Sequence, residues 1–340
     1  MRYLQNTVII SVLIMAACPV GAQSLDPIAA ARHVAATGAR GDQEGSQWTV
    51  LNVEQEVPER RNTPITTRQK VIRYTTLVVI PLAMTAYGQR AWEWGSTGSS
   101  WHWAHEGFLG ADTHVGGADK MGHAFSHYVL TRASAAIFDY TEHGASHKLW
   151  YAGSMVMLIG VGIEVGDAFN GTHGFSFEDI VFDALGVGLG VLTEAVPAAD
   201  ALFSFQLDYW PTQGFLDYPD RKNLQFSLDY SGMTFMLSVK LAGLNSLGLK
   251  VPSVLNYIQL DAGYFTRDYS GYNKFDRYLN PDAVGYRSAL VGVSLNVPKL
   301  LDSLFTHVGK KDTWANTIVR EPFNYYHLPI GLSVDTRLDE

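Results

Sequence analysis

The chain has 340 residues, of which 47% are hydrophobic, 12% aromatic and only 17% charged, and its formal net charge is −8. This composition excludes a disordered protein, and the acidic balance argues against a nucleic-acid-binding surface. The length is sufficient for one large domain or two ordinary ones.

The first 22 residues have the features of an export signal. Arg2 supplies a positive charge, and residues 8–17 form an apolar segment too short to span a bilayer. Small residues predict cleavage after Ala22, while residues 13–18 resemble a lipobox in which Cys18 would carry lipid. Both alternatives predict an exported protein of the periplasm or outer membrane of a Gram-negative-type bacterium. Because the chain has a single cysteine, no disulfide framework is expected.

The remaining chain divides into three parts. Residues 23–69 are polar, with a short predicted strand at 47–53. Residues 70–198 are apolar and predict helices near 74–88, 119–140, 147–168 and 176–194. Residues 199–340 change to a two-residue period. The predicted fold class is therefore α+β, with an N-terminal apolar helical bundle followed by an antiparallel β region.

The helical part has features of helices that contact a membrane. Pro81 lies inside the first helix, and such prolines are commoner in membrane helices. Four tryptophans then cluster, as they do at membrane interfaces: Trp92, Trp94, Trp101 and Trp103. No helix is an uninterrupted apolar span of about 20 residues. A buried soluble bundle and a bilayer-contacting bundle both remain open.

Alternating side chains predict strands after about residue 200. Apolar rows occur within 203–209, 224–230, 235–241, 258–264 and 289–295. They predict about six to eight half-buried antiparallel strands, and residues 230–233 resemble a tight hairpin turn. The pattern is typical of a small or partial outer-membrane barrel, and also of a soluble sheet with one apolar face.

Ionisable residues interrupt the apolar helices, where charges are costly unless they are paired, metal-bound or functional. A spacing of three or four residues places each of three pairs on one helix face. The pairs are Asp119 with His123, Glu164 with Asp167, and Asp179 with Asp183. If the helices pack together, the pairs converge, and His127 continues the face of the first. His114, before the second helix, is interpreted as a solvated loop residue.

Three interpretations of this cluster stay open. Carboxylates with imidazole suit a divalent metal such as Zn²⁺, Mn²⁺ or Fe²⁺, and the candidate ligands are His123, Glu164, Asp167 and Asp183. The same groups can perform acid–base catalysis, for which the candidates are Asp119, His123, Glu164, Asp167 and Asp179. They can also form a structural network neutralised by Lys120 or Arg132.

Three motifs occur in a fixed order: Asp-Lys-x-x-His, Glu-x-x-Asp and Gly-Phe-Ser-x-x-Asp. They comprise Asp119, Lys120 and His123, then Glu164 and Asp167, then Gly174, Phe175, Ser176 and Asp179, with Gly186 beyond. This order resembles the YfiM-like predicted periplasmic lipoproteins, a family of unknown function, and more distantly the VanZ-like membrane proteins, linked to glycopeptide-antibiotic resistance. Both families favour Asn where this chain has Asp183. The resemblance covers about residues 115–195 and implies an exported envelope protein.

The sequence thus predicts an uncharacterised cell-envelope protein, associated with the outer membrane, with a structural or envelope-integrity role. Its predicted partners are membrane lipid or envelope components, and not nucleic acid. One alternative is a metal-assisted or acid–base hydrolase acting on a lipid or cell-wall substrate, for which the cofactor would be a divalent metal. Another is passage of small molecules through a barrel.

Overall fold

Four long helices precede a sheet in the part of the chain that the structure describes. The structure is a computed structural model that describes residues 64–91, 94, 100–141, 145–171, 173–220, 225–310 and 313–339. The predicted export signal, with Ala22 and Cys18, lies outside these residues, as does the predicted strand at 47–53. The predicted order, helices followed by an antiparallel sheet, is confirmed.

The long helices are α1 (Thr67–Ala91), α2 (Ala118–Thr141), α3 (Ala145–Asp167) and α4 (Phe177–Ala195), followed by a short α5 (Pro197–Leu202). Their ends follow local chemistry. Ser176 is the N-cap of α4, because its hydroxyl accepts a hydrogen bond from the Asp179 amide at 3.2 Å. Proline cannot donate a backbone hydrogen bond, so Pro197 begins α5 and does not continue α4.

Helices α2 and α4 approach closely through glycines. A Cβ on Gly186 would collide with the carbonyl oxygen of Ala124, and a Cβ on Gly190 would lie 2.9 Å from the Cβ of Thr131. Only residues without side chains permit this approach. The close contact brings the first turn of α2, with Asp119 and Lys120, beside the first turn of α4, with Asp179.

A two-residue parallel pair fixes the loop before α4. Strand β1 (Trp103–Ala104) pairs with β2 (Phe175–Ser176), with Trp103 opposite Phe175. The rings of these two residues lie 4.9 Å apart. The pair therefore holds the N-cap of α4 against the chain segment that precedes α2.

The sheet is an antiparallel meander of five strands. They are β3 (Phe203–Tyr209), β4 (Met233–Lys240), β5 (Ile258–Arg267), β6 (Tyr286–Leu295) and β7 (Gly331–Arg337), in that spatial order. Four helices lie between them or after β6: α6 (Gln213–Asp217), α7 (Lys274–Leu279), α8 (Val297–His307) and α9 (Trp314–Arg320). The segment before β7 returns to the other edge of the sheet, where the amide of His327 donates to the carbonyl of Leu207 at 3.0 Å.

The two faces of the sheet have opposite exposure. Aliphatic residues in register across the outer strands are open, with Val291 67%, Leu332 85% and Val334 74% exposed. The alternate polar side chains of β4–β6, such as Ser238 and Asp261, are buried, whereas the edge strand β7 is exposed on both faces. Helix α2 covers the apolar face only at the β3–β4 end. The polar face is therefore inside and most of the apolar face is outside.

Several strand predictions were wrong. Residues 226–228 and 230–232 form 3-10 turns, where a strand and a hairpin turn were predicted. The reason is Asp229, which is fully buried and accepts hydrogen bonds from the amide and hydroxyl of Thr212, so the backbone turns and does not extend. The described part of the region after residue 200 has five strands, where about six to eight were predicted, and β7 was missed.

Barrel closure is not observed in the described strands, because β3 and β7 pair with different neighbours and not with each other. By length and composition alone, Thr67–Gln89 and His147–Asp167 could cross a membrane. The core helix of a soluble protein can pass the same test, and 44% of the second segment is buried.

Candidate functional site

The chain enters α2 through a turn with left-handed backbone. Val115 has φ 43° and ψ 36°, and Gly116 has φ 64°. A β-branched residue at positive φ costs on the order of 1–3 kcal/mol. The turn is held from the sheet, because the hydroxyl of Tyr264 donates to the carbonyl of Gly116. A Cβ on Gly116 would also collide with the hydroxyl of Tyr269. The sheet thus sets the position of the first turn of α2.

Asp119 lies in that first turn and is held by aromatic neighbours. The hydroxyl of Tyr230 donates to Asp119 at 2.5 Å, and His114 Nδ1 lies 3.8 Å from the other carboxylate oxygen. Burial would raise the pKa of Asp119, but His114 and His123 outweigh it, so the pKa lies below its ordinary value. Asp119 is therefore an ionised acceptor. The prediction that His114 is a solvated loop residue was wrong, because this contact leaves its side chain only 29% exposed.

Lys120 is fully buried between two carboxylates. Its Nζ lies 2.7 Å from Glu106 and 3.1 Å from Asp179. Burial would lower the pKa of Lys120, but the charges of Asp179 and Asp119 outweigh it and keep the ammonium protonated. Burial, with the nearby charge of Asp119, raises the pKa of Asp179 to about 6. Lys120 thus balances charge at the N-terminal ends of α2 and α4.

One and two turns further along α2, His123 and His127 both meet Asp183 of α4. His123 Nδ1 lies 2.9 Å and His127 Nδ1 2.8 Å from Asp183 Oδ1. Burial would raise the pKa of Asp183, but its hydrogen bonds with both imidazoles lower it. Burial would lower the pKa of His123, but the hydrogen bond with Asp183 and the charges of further carboxylates raise it well above its ordinary value.

Two groups of side chains among the described residues have metal-ligand spacing. His123, His127 and Asp183 offer ligand atoms within 4.8 Å of one another, and so do Asp119, His123 and Asp179. His123 belongs to both groups. The cluster can therefore hold a divalent cation or move protons between imidazole and carboxylate.

Glu164 and Asp167 lie at the edge of this cluster and belong to neither group. Glu164 is buried, and its Oε2 accepts a hydrogen bond from the Ser176 amide at 2.9 Å. Burial raises its pKa to about 9, so the carboxyl is protonated at neutral pH. Asp167 accepts a hydrogen bond from Trp94 Nε1 at 2.6 Å, and burial raises its pKa as well.

Sequence reasoning missed two contributors. Tyr230 came from a stretch interpreted as the end of a strand, and no pattern in the sequence indicates that its hydroxyl reaches Asp119. Glu106 lies in the aromatic loop before α2, and its only signal was an isolated acidic residue in that stretch. His127 was noticed from its spacing and Lys120 as a cation that could neutralise carboxylates, but their partners depend on which helices pack together.

The comparison with known protein families bears on the segment that carries the cluster. Residues 105–195 match the family described as predicted periplasmic lipoprotein (DUF2279). The resemblance is confirmed for this segment. It covers α2, α3 and α4 with the loop before them, and it supports export to the periplasm as part of the envelope. The VanZ-like resemblance stays a prediction. No curated protein and no solved structure matches the chain.

Proposed function

We propose that this protein is a structural component of the cell envelope that sits in the outer membrane through the apolar face of its sheet. The reversed polarity of β4–β6 supports this. In water, an antiparallel sheet with one buried face turns its polar side chains outward. In β4–β6, Leu237, Leu260, Val291 and Val293 are outward, and the Ser, Gln and Asp side chains that alternate with them are inward. Strands that face lipid have this arrangement.

The free-energy cost of leaving the apolar face of the sheet in water supports contact between this face and lipid. Fully burying one aliphatic side chain is worth about 1.5–3 kcal/mol. Six such side chains of the face are exposed: Leu237, Leu260, Val291, Val293, Leu332 and Val334. Acyl chains would remove all of them from water together.

Strand length and export agree with an outer-membrane location. Strands β5 and β6 have ten residues each, and a tilted strand needs about 9–11 residues to cross a bilayer. The signal-like N-terminus and the periplasmic description of the matched family are consistent with export. The hydrolase and passage alternatives stay predictions.

Fractionation of cells with matched strand variants tests the proposal. Because lipid on Cys18 would hold any version on a membrane, the variants are compared in a C18S background. The C18S protein is expected in the outer-membrane fraction after a high-salt wash. Adding V291K and V334K is expected to reduce the membrane-bound share at least about tenfold, since a lysine facing lipid costs about 2–4 kcal/mol at mid-depth.

The control places a single lysine on the other face of β7. S333K is expected to fractionate as the C18S protein does, because Ser333 alternates with Val334 in β7. Recovery of the C18S protein with soluble periplasm would contradict the proposal. Equal loss from the membrane in S333K and the double lysine variant would contradict it as well.

A further inference from the structure

The histidine pair on α2 and Asp183 on α4 leave two buried polar atoms without a partner. His127 and Asp183 are 4% and 0% exposed. Neither His127 Nε2 nor Asp183 Oδ2 has a hydrogen-bond partner among the described residues. A buried acceptor without a donor costs about 1–3 kcal/mol, so such a pair calls for an explanation.

The hydrogen bonds of His127 assign its tautomer. Its Nδ1 lies 2.9 Å from the carbonyl oxygen of His123 and 2.8 Å from Asp183 Oδ1. Both neighbours are acceptors, so Nδ1 carries the proton. In the neutral ring, Nε2 then has a free lone pair, as in a histidine that binds a metal while its other nitrogen donates to an oxygen.

Gly160 of α3 leaves room where these two atoms point. A Cβ at this position would lie 2.7 Å from His127 Nε2 and would collide with Asp183 Oδ2. Both unpartnered atoms therefore face the same space beside α3. A glycine here keeps a side-chain carbon out of that space.

The charge of Asp183 is not balanced by lysine or arginine. Within the described part of the chain, its ion pairs are with His123 and His127 only. The buried cations of α2 are engaged elsewhere: Lys120 is paired with Glu106 and Asp179, and Arg132 with Glu194 and Asp200. A neutral histidine pair would leave a buried carboxylate uncompensated, which a bound cation would correct.

We propose that His123, His127 and Asp183 bind one transition-metal dication, with Zn²⁺ or Fe²⁺ as the best match. Two imidazoles and one carboxylate are a common ligand set for zinc and for non-haem iron. The ligands come from two helices held together by Gly186 and Gly190, a usual way for a bundle to build a metal site. The inference does not depend on where the sheet sits.

Metal loading of the purified full-length protein in detergent tests this inference. After chelator treatment, the protein is reloaded with Zn²⁺, or with Fe²⁺ without oxygen, and bound metal is counted by mass spectrometry. One ion per chain is expected for one of the two metals. Asp183→Asn and His127→Ala are expected to weaken binding at least about a hundredfold, because each removes a direct ligand. His307→Ala, at the exposed end of α8, is expected to bind as the unsubstituted chain does.

A glycine pair on α3 keeps the test decisive if a ligand variant fails to fold. Gly160→Ala is expected to weaken binding at least about tenfold, because the new Cβ occupies the metal's space. Gly162→Ala is the matched control, since nothing lies within 4 Å of its Cβ position. Loading with Co²⁺ should also give the visible absorption of a nitrogen–oxygen site of low coordination number.

The competing arrangement has a protonated His123 that balances Asp183 without any metal. It predicts that the unsubstituted protein binds neither ion stoichiometrically. Either that result, or equal metal content in Gly160→Ala and Gly162→Ala, would overturn the inference. Unchanged metal content in a folded Asp183→Asn variant would overturn it too.

Discussion

Asp183 in the helices and Asp261 in the sheet are both buried carboxylates beside a histidine, but their surroundings differ. Asp261 accepts hydrogen bonds from Ser238 at 2.6 Å and from Gln259 at 3.0 Å through one oxygen, and from Ser294 through the other. Asp183 has both histidines on one oxygen, and its other oxygen has no hydrogen-bond partner among the described residues. Neutral donors therefore satisfy both oxygens of Asp261, whereas one oxygen of Asp183 can still bind a ligand.

The sheet and the helices therefore stabilise buried carboxylates in different ways. The sheet surrounds Asp261 with hydroxyl and amide donors from neighbouring strands, and His327 Nε2 lies 3.5 Å away. In the helices, the buried carboxylates Asp179 and Asp183 instead meet basic side chains, Lys120 at 3.1 Å for Asp179 and two histidines for Asp183. Substitutions can test each mode of compensation separately.

The largest expected effect on stability is that of removing the buried ammonium of Lys120 from the helices. Lys120→Met should lower the free energy of unfolding by about 3–5 kcal/mol, because it leaves Glu106 and Asp179 without their cation. Denaturant unfolding in detergent measures this. Lys250→Met, at an exposed position, is the control and should change stability by less than about 0.5 kcal/mol. Equal effects of the two substitutions would mean that the buried carboxylates of the helices do not depend on the charge of Lys120.

The next effect concerns the histidine of the sheet and depends on pH. Burial would lower the pKa of His327, but Asp208 and Asp261 raise it to about 9 from the ordinary 6.5. A raised histidine pKa stabilises the fold fully below about pH 6.5, and the stabilisation is lost as the pH rises through about 9. The free energy of unfolding should therefore fall by up to about 3 kcal/mol between these pH values.

His327→Gln removes the titrating group, so its unfolding free energy should lack this fall. His307→Gln, which alters an exposed histidine, should retain it. Denaturant curves recorded at several pH values provide the comparison. An unchanged pH slope in His327→Gln would show that the polar face of the sheet is held by its neutral donors alone.

The smallest expected effect concerns the packing that brings the helical ligands together. Gly186→Ala should lower the free energy of unfolding by about 1–3 kcal/mol, because the new Cβ would collide with the backbone of Ala124. Gly188→Ala has open space at its Cβ position and should stabilise α4 by up to about 1 kcal/mol through helix propensity. Thermal unfolding in detergent separates the two signs. A stabilising Gly186→Ala would mean that α2 and α4 are less closely packed.

Local patterns predicted the long helices well, since each has its own periodicity or end signal. Ser176 marks the start of α4, and the four-residue spacing of Asp119 and His123 places both on one face of α2. The strand predicted for residues 224–230 failed in its described part, 225–230, although the alternation there is as regular as in β4. Asp229 turns that chain through contacts with Thr212, a residue from a different part of the sequence, so no local pattern could reveal it.

The sequence by itself determined the helices, the alternation of most strands and the charged positions, because these depend on residues near one another in the chain. Only the tertiary structure decided which carboxylates meet which cations, and that Tyr230 and Glu106 join the cluster. It also decided which face of the sheet is outside, because alternation is the same whichever face is buried. Those features depend on contacts between distant segments, and side-chain spacing along one helix or strand does not specify its partner.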